Sequence, residues 1–202
     1  MLNSYQRFKD NVRRLHNMEA IYQYLNNVVR VPSADIDDIL RNQLTSLISS
    51  LDKFVHDVVR VGMIESYFGR RTITDAFLRF HLSLKIANML KDPTIPDEVI
   101  LTSHINMTNG YLAFQDPDKI SSALALIWEE KYKWQKIAEK LGDTEANVKV
   151  KLKNLVMRRN QIVHESDVDL STGIVQPVIY TDIRSAITFV DQVVDAIYAL
   201  VN

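Results

Sequence analysis

With 202 residues, 47% of them hydrophobic, the chain can bury a substantial core. A formal net charge of −1 gives no global attraction to nucleic acid or to an anionic membrane, so polyanion binding must come from local clusters. The sequence contains no cysteine, which excludes disulfides, thiolate catalysis and cysteine-ligated metal and fits a reducing cytoplasm.

Glycine and proline number only five each, and apolar residues recur at helical spacing almost throughout, which predicts an all-α protein. Residues 1–14 are polar and charged without an apolar leader-like run. No other apolar run approaches the ~18 to 20 residues that span a bilayer, so a soluble, cytoplasmic chain without membrane contact is expected.

In chain order, residues 2–29 carry Phe8, Val12, Leu15, Met18, Ile21, Tyr22 and Leu25 on one helical face, and Pro32 forbids continuation. Ser33 or Asp35 is expected to cap a long second helix. Its unbroken stripe, Ile36, Leu40, Leu44, Leu47, Leu51, Val55 and Val58, runs up to Gly62 and marks the central core helix. After a turn at residues 67–71, Phe77, Leu78, Leu82, Leu84, Ile86 and Leu90 suggest a third helix closed by Asp92-Pro93. Pro93, Pro96 and Gly110 mark a looser connection.

Residues 121–141 form a further predicted helix with Leu124, Ile127, Trp128, Trp134, Ile137 and Leu141, broken by Gly142. Asp143 or Thr144 caps the next, which runs to about His164. An acidic turn at 165–169 and a non-helical excursion at 173–177 follow. A last helix, capped by Thr181, spans 182–200 with Ile183, Ile187, Val190, Val194, Ile197 and Tyr198 inward. The economical architecture is a single-domain bundle, residues 1–202, of about five to seven helices, with segment 1–31 its least distinctive part.

The penultimate helix holds the informative feature. Val148, Leu152, Leu155, Val156, Arg159 and Val163 share one face, so Arg159 points with core residues. A guanidinium cannot shed its proton and, when partly buried, needs a fixed anion: a carboxylate of the protein, making it a strut, or a ligand phosphate, making it a site. Asn160 and His164 lie one turn apart on the adjoining flank. His164 can interact merely with the helix's last carbonyls. Together the three supply what phosphodiester cleavage requires, a cation for charge developing on phosphate and an imidazole that moves a proton near neutral pH. The five histidines, His16, His56, His81, His104 and His164, show no paired metal-ligand spacing, and no metal or cofactor is expected.

Arg159-Asn160-x-x-x-His164 resembles the R-x4-6-H signature of the HEPN superfamily (higher eukaryotes and prokaryotes nucleotide-binding domain), all-α proteins that include many metal-independent ribonucleases. The string Arg158-Arg159-Asn160-Gln161-Ile162-Val163-His164-Glu165-Ser166-Asp167 is most similar to the RiboL-PSP-HEPN branch. So are residues 34–59, with Leu51-Asp52-Lys53-Phe54-Val55-His56-Asp57, and Trp134-Gln135-Lys136-Ile137-Ala138. The resemblance implies a homodimer whose facing motif helices build one RNA-cleaving cleft. Arg159 would hold the scissile phosphate, Asn160 orient its neighbours, and His164 act on the 2′-hydroxyl or the leaving oxygen, giving 2′,3′-cyclic phosphate and 5′-hydroxyl ends. It also implies a toxin-antitoxin or phage-defence setting, with a cognate antitoxin or nucleotidyltransferase as partner. The alternative is a non-catalytic RNA- or nucleotide-binding or protein-interaction module of a larger complex.

Local charge bears on substrate binding. Lys131, Lys133, Lys136, Lys140, Lys149, Lys151, Lys153, Arg158 and Arg159 outnumber Glu139, Asp143 and Glu145 in this region, a pattern that reads either as an RNA track or as a solvated helix surface. Arg158 and Lys153 are the expected substrate-binding residues beside the motif. Tyr132 and Trp134 could stack on bases, or Trp134 could be core. Asp52 and His56, one turn apart on the central helix, form either a supporting pair for the site or, through Asp52, the partner of an Arg159 strut.

Overall fold

The computed structural model describes residues 1–169 and 171–202, and the chain is all-α. Helix α1 (Leu2–Tyr24) turns inward Phe8, Val12, Leu15 and Tyr22, leaves Ile21 exposed, and ends in a π-turn over Leu25–Val29. Arg30, in the left-handed region at φ 62°, reverses the chain, and Pro32 occupies the N-cap of α2 (Ser33–Tyr67) without a side-chain cap, so neither Ser33 nor Asp35 caps it.

The predicted stripe of α2 is buried along its whole length and continues past Gly62 through Met63 to Ser66, a turn beyond the expected end. Gly62 stays in the helix because nothing larger fits: a Cβ there would stand 2.6 Å from Ile127 Cγ2. Each fully buried Leu, Val or Ile contributes about 1.5 to 3 kcal/mol by leaving water, which makes this helix the axis of the core. Helix α9 (Tyr180–Val201) lies against it with Ile183, Ile187, Val190, Val194 and Ile197 buried; it begins before Thr181, with no side-chain cap. Helix α1 closes the group, tied to α9 by Tyr5 Oη donating to Asp195 (2.9 Å) and by Lys9 bridging Asp191 (2.5 Å) and Asp195 (2.7 Å).

Three sequence expectations are revised. The single third helix is two short ones, α3 (Asp75–Leu78) and α4 (Leu84–Met89), because Thr74 and Ser83 each accept a backbone N–H from Phe77 and Ile86 and restart the helix. Its apolar residues find little to cover them: Leu78 is 70% and Leu84 84% exposed. The supposed loose connection contains α5 (Asp97–Asn109), started at Pro96, favoured by Asp97 and Glu98 in its first turn, and held to α2 by buried Ile100, Leu101 and Ile105.

The single helix over 121–141 is also two, α6 (Pro117–Leu124) and α7 (Lys133–Leu141). Trp134 decides this: its indole Nε1 donates to the Pro117 carbonyl at 2.7 Å, yet 17 residues of continuous helix would hold them about 25 Å apart. The chain must therefore fold back between them. Trp134 is core, not a surface for bases, while Tyr132 is exposed beneath Lys131.

Candidate active site

Gly142, left-handed at φ 67°, ends α7. Helix α8 (Glu145–His164) then starts as expected, with Thr144 Oγ1 accepting from Asn147 N at 3.3 Å. Val148 and Leu152 are buried, and Leu155, Val156 and Ile162 pack partly against the core. Val163 is 44% exposed, so the inward stripe passes through Arg159 to Ile162 rather than to Val163. That rotation leaves Arg159 half-buried at the edge of the core.

Arg159, Asn160 and His164 line one cleft of about 540 Å³, with Lys153, Met157 and Val156 from the same helix and Ala113, Gln115, Asp116 and Lys119 opposite. The Arg159 guanidinium donates through Nη1 to Asn160 Oδ1 at 3.1 Å. Its Nε is enclosed without a hydrogen-bond partner, and no carboxylate lies within ion-pair distance of it, both among the described residues. No internal anion, among the described residues, pairs with it as a strut requires; Asp116 lines the same cleft but beyond ion-pair distance, and a phosphate entering the cleft would find a planar donor bonded only to Asn160. His164 is exposed at the last turn.

Asp52 is engaged elsewhere. Its Oδ1 accepts Phe114 N at 2.5 Å and lies 3.9 Å from His56 Nε2. His56 in turn contacts the Leu112 carbonyl (3.1 Å) and lays its ring against Phe114 (4.4 Å between centroids). This pair on α2 thus holds residues on either side of Ala113, which lines the cleft opposite the motif. Asp52 is not an ion-pair partner of Arg159.

Arg158, expected to touch substrate, points away from the cleft. Its Nη2 donates to Asp167 Oδ2 (3.0 Å) and to the Pro177 carbonyl (3.1 Å), and its Nη1 stands 2.5 Å from Asp167 Oδ1 in an ion-pair contact. A guanidinium so occupied cannot also embrace a phosphate. Lys153 does face the cleft, with Nζ 3.4 Å from Asp118 at its rim. Lys149, at 3.0 Å, and then Lys153 hold the Asp118 carboxyl below its usual range.

The basic excess around α7 and α8 does not form a continuous track. Lys136 pairs with Glu139, Lys149 and Lys153 with Asp118, and Arg158 with Asp167. Lys151 pairs with Asp143, whose carboxyl is held at about 2 by Lys151 and Asn147. Lys133 is buried over the Trp128 ring. Within the cleft the cations are Arg159, Lys153, which Asp118 also engages, and, from the opposite wall, Lys119.

Sequence reading missed Lys119 and Gln115, which lie about 40 residues before the motif on a turn and a helix start. Asp116-Pro117, an N-cap followed by proline at the first helical position, was the legible signal: Asp116 Oδ1 accepts Asp118 N at 2.8 Å. No helix, among the described residues, is long and apolar enough to cross a membrane.

A search of curated proteins and a search of solved structures each found no match. The family model described as RiboL-PSP-HEPN matches residues 9–202, which takes in α2, the motif helix, the clamped turn after it and most of α1. An all-α fold with Arg159, Asn160 and His164 at the end of its penultimate helix agrees with that match, and the chain belongs to the RiboL-PSP-HEPN family of the HEPN superfamily.

Proposed function

We propose that the protein is an endoribonuclease that needs no metal ion and cleaves RNA by attack of the 2′-hydroxyl on the adjacent phosphorus. The observation that carries this reading is the Arg159 guanidinium, steadied by Asn160 and paired with no carboxylate among the described residues, in the same cleft as an exposed His164. Arg159 donates two parallel hydrogen bonds to the non-bridging oxygens and stabilises the charge that grows on them. An imidazole takes the 2′-hydroxyl proton as the bond from the 2′-oxygen to phosphorus forms, and a protonated imidazole supplies a proton to the 5′-oxygen as its bond to phosphorus breaks. The ends left are a 2′,3′-cyclic phosphate and a 5′-hydroxyl.

One base and one acid are required, and each chain offers one such histidine. A C2 homodimer with motif helices facing would bring two copies of His164 together. Val150, Met157 and His164 recur every seven residues, two turns apart on the outer face of α8, and the two apolar ones are 56% and 61% exposed. This supports a helix-to-helix contact between protomers. Lys153 and Lys119 would track flanking phosphates. A toxin-antitoxin or phage-defence role, with a cognate antitoxin or nucleotidyltransferase, rests on the family resemblance.

A second reading, a non-catalytic RNA- or nucleotide-binding module, draws on the absence of any hydrogen-bond partner orienting His164 among the described residues. Incubation with a mixed RNA pool in EDTA separates the two. The expected result is cleavage with cyclic-phosphate ends, lowered about 10² to 10⁴-fold in His164→Ala while the fold survives. Cleavage that stops in chelator and returns only with metal, or a demonstrably monomeric protein with full activity, would refute the arrangement.

A further inference from the structure

The turn that follows His164 is held in an unfavourable conformation. Ser166 and Asp167 are consecutive non-glycine residues in the left-handed region, at φ 52° and 59°. Side chains with a Cβ are strained there, and such strain persists only where the surroundings over-determine the backbone. A helix that merely had to end could do so with one glycine.

The over-determination comes from the Asp167 side chain, only 1% exposed. Its Oδ2 accepts from Arg41 Nε of α2 at 2.7 Å and from Arg158 Nη2 of α8 at 3.0 Å. The two guanidiniums spend further donors on the segment leading to α9: Arg41 Nη2 on the Gln176 carbonyl (2.8 Å) and Arg158 Nη2 on the Pro177 carbonyl (3.1 Å). The backbone is fixed as well, since Asp167 N donates to the Gln161 carbonyl (3.1 Å) and Gln176 N to the Asp167 carbonyl (2.8 Å). Burial works against the Arg41 charge, yet Asp167 and Asp38 keep its guanidinium above its usual value. One buried carboxylate thus joins α2, the end of α8 and the approach to α9.

His164 sits three residues before this carboxylate, in the last helical turn, where helices ordinarily fray. With no side chain among the described residues holding the imidazole, its place relative to Arg159 depends on the backbone of that turn. We propose that Asp167, clamped between Arg41 and Arg158, is a positioning residue that holds the last turn of α8 so that His164 keeps its register with Arg159. The inference rests on the ribonuclease reading above. Arg158, expected from sequence to bind substrate, serves in this view as one jaw of the clamp.

The test is Asp167→Asn, which keeps shape and acceptor but removes the charge. The expected kcat falls about 10²-fold, the scale set by a displacement of about 1 Å in a reacting group. KM and the binding of a 2′-deoxy substrate analogue change less than about threefold, because Arg159, Lys153 and Lys119 are untouched. Amide exchange over residues 161–168 speeds up while that of α2 and α9 does not. Should Asp167→Asn fail to fold, Arg41→Lys, which keeps charge but loses the second prong, is expected to show the same selective loss of kcat at smaller size. Wild-type cleavage with the variant at wild-type kcat per folded molecule, or with KM and kcat impaired alike, overturns this inference alone. Wild-type protein that cleaves no RNA overturns the ribonuclease reading and this inference with it.

Discussion

Replacing Arg159 by alanine separates a phosphate-binding arginine from a structural strut, and the structure sets the size of the difference. A strut leaves a stranded carboxylate when removed and costs about 3 to 5 kcal/mol. No carboxylate pairs with Arg159 among the described residues; its one partner is the Asn160 side chain at 3.1 Å, which can turn to water. What alanine loses is the packing of a half-buried stem of three methylenes, about 1 kcal/mol at ~0.8 kcal/mol for each fully buried group. What it gains is relief of the enclosed Nε donor, comparable at about 1 to 3 kcal/mol, and a slightly better helix former. The balance lies between zero and about 2 kcal/mol in favour of alanine, a melting temperature held or raised by up to roughly 8 °C for a chain of this size, against a loss of roughly 6 to 20 °C for a strut. Thermal denaturation of Arg159→Ala and Arg159→Lys should therefore show no loss of melting temperature relative to wild type. RNA cleavage in EDTA should be lost in the alanine variant and strongly reduced in the lysine one, which keeps the charge without the planar fork. A melting temperature that collapses in Arg159→Ala while cleavage per folded molecule persists would refute the reasoning.

Two further outcomes test the scaffold. Asp57 is buried beneath Lys53 (2.9 Å), Arg60 (3.1 Å) and Arg7 (3.4 Å); burial alone would raise its carboxyl, but Lys53 and Arg60 hold it below its usual value. A lowered folded pKa means stability present above the unfolded value of about 4 and lost as pH falls through the folded one. Urea titrations should thus find Asp57→Asn less stable than wild type at pH 7, with the gap closing on acidification below about pH 4; a gap that widens in acid would show the sign to be wrong. Gly62→Ala sets a methyl 2.6 Å from Ile127 Cγ2 and 2.9 Å from Met1 Cε. Overpacking of about 1 to 3 kcal/mol should outweigh the ~1 kcal/mol gained by replacing glycine in a helix, lowering the melting temperature by a few degrees, and a stabilised variant would contradict the close approach of Ile127, in the turn after α6, to α2.

The sequence by itself determined the elements whose pattern is both long and buried on one side. The stripe of α2, the inward residues of α9 and the Thr144 cap of α8 stand where the spacing puts them, because a long amphipathic face has only one way to satisfy its burial. The motif was equally legible, since Arg159, Asn160 and His164 are local to one helix and their shared flank follows from 100° per residue. What tertiary structure alone decided is everything that depends on a partner distant in sequence. The fold-back between α6 and α7 is set by the Trp134 hydrogen bond to Pro117, and the short α3 and α4 carry helical spacing that leaves Leu78 and Leu84 exposed. Arg158 and Arg159 are neighbours of the same type, and their fates differ because Asp167 pairs with one and no carboxylate, among the described residues, comes within ion-pair distance of the other. Lys119 comes to the cleft from α6, just after the loop that Asp52 and His56 contact. Periodicity fixes which way a side chain points from its own helix, whereas its charge partner and its solvent exposure are fixed by what the rest of the chain brings to that face.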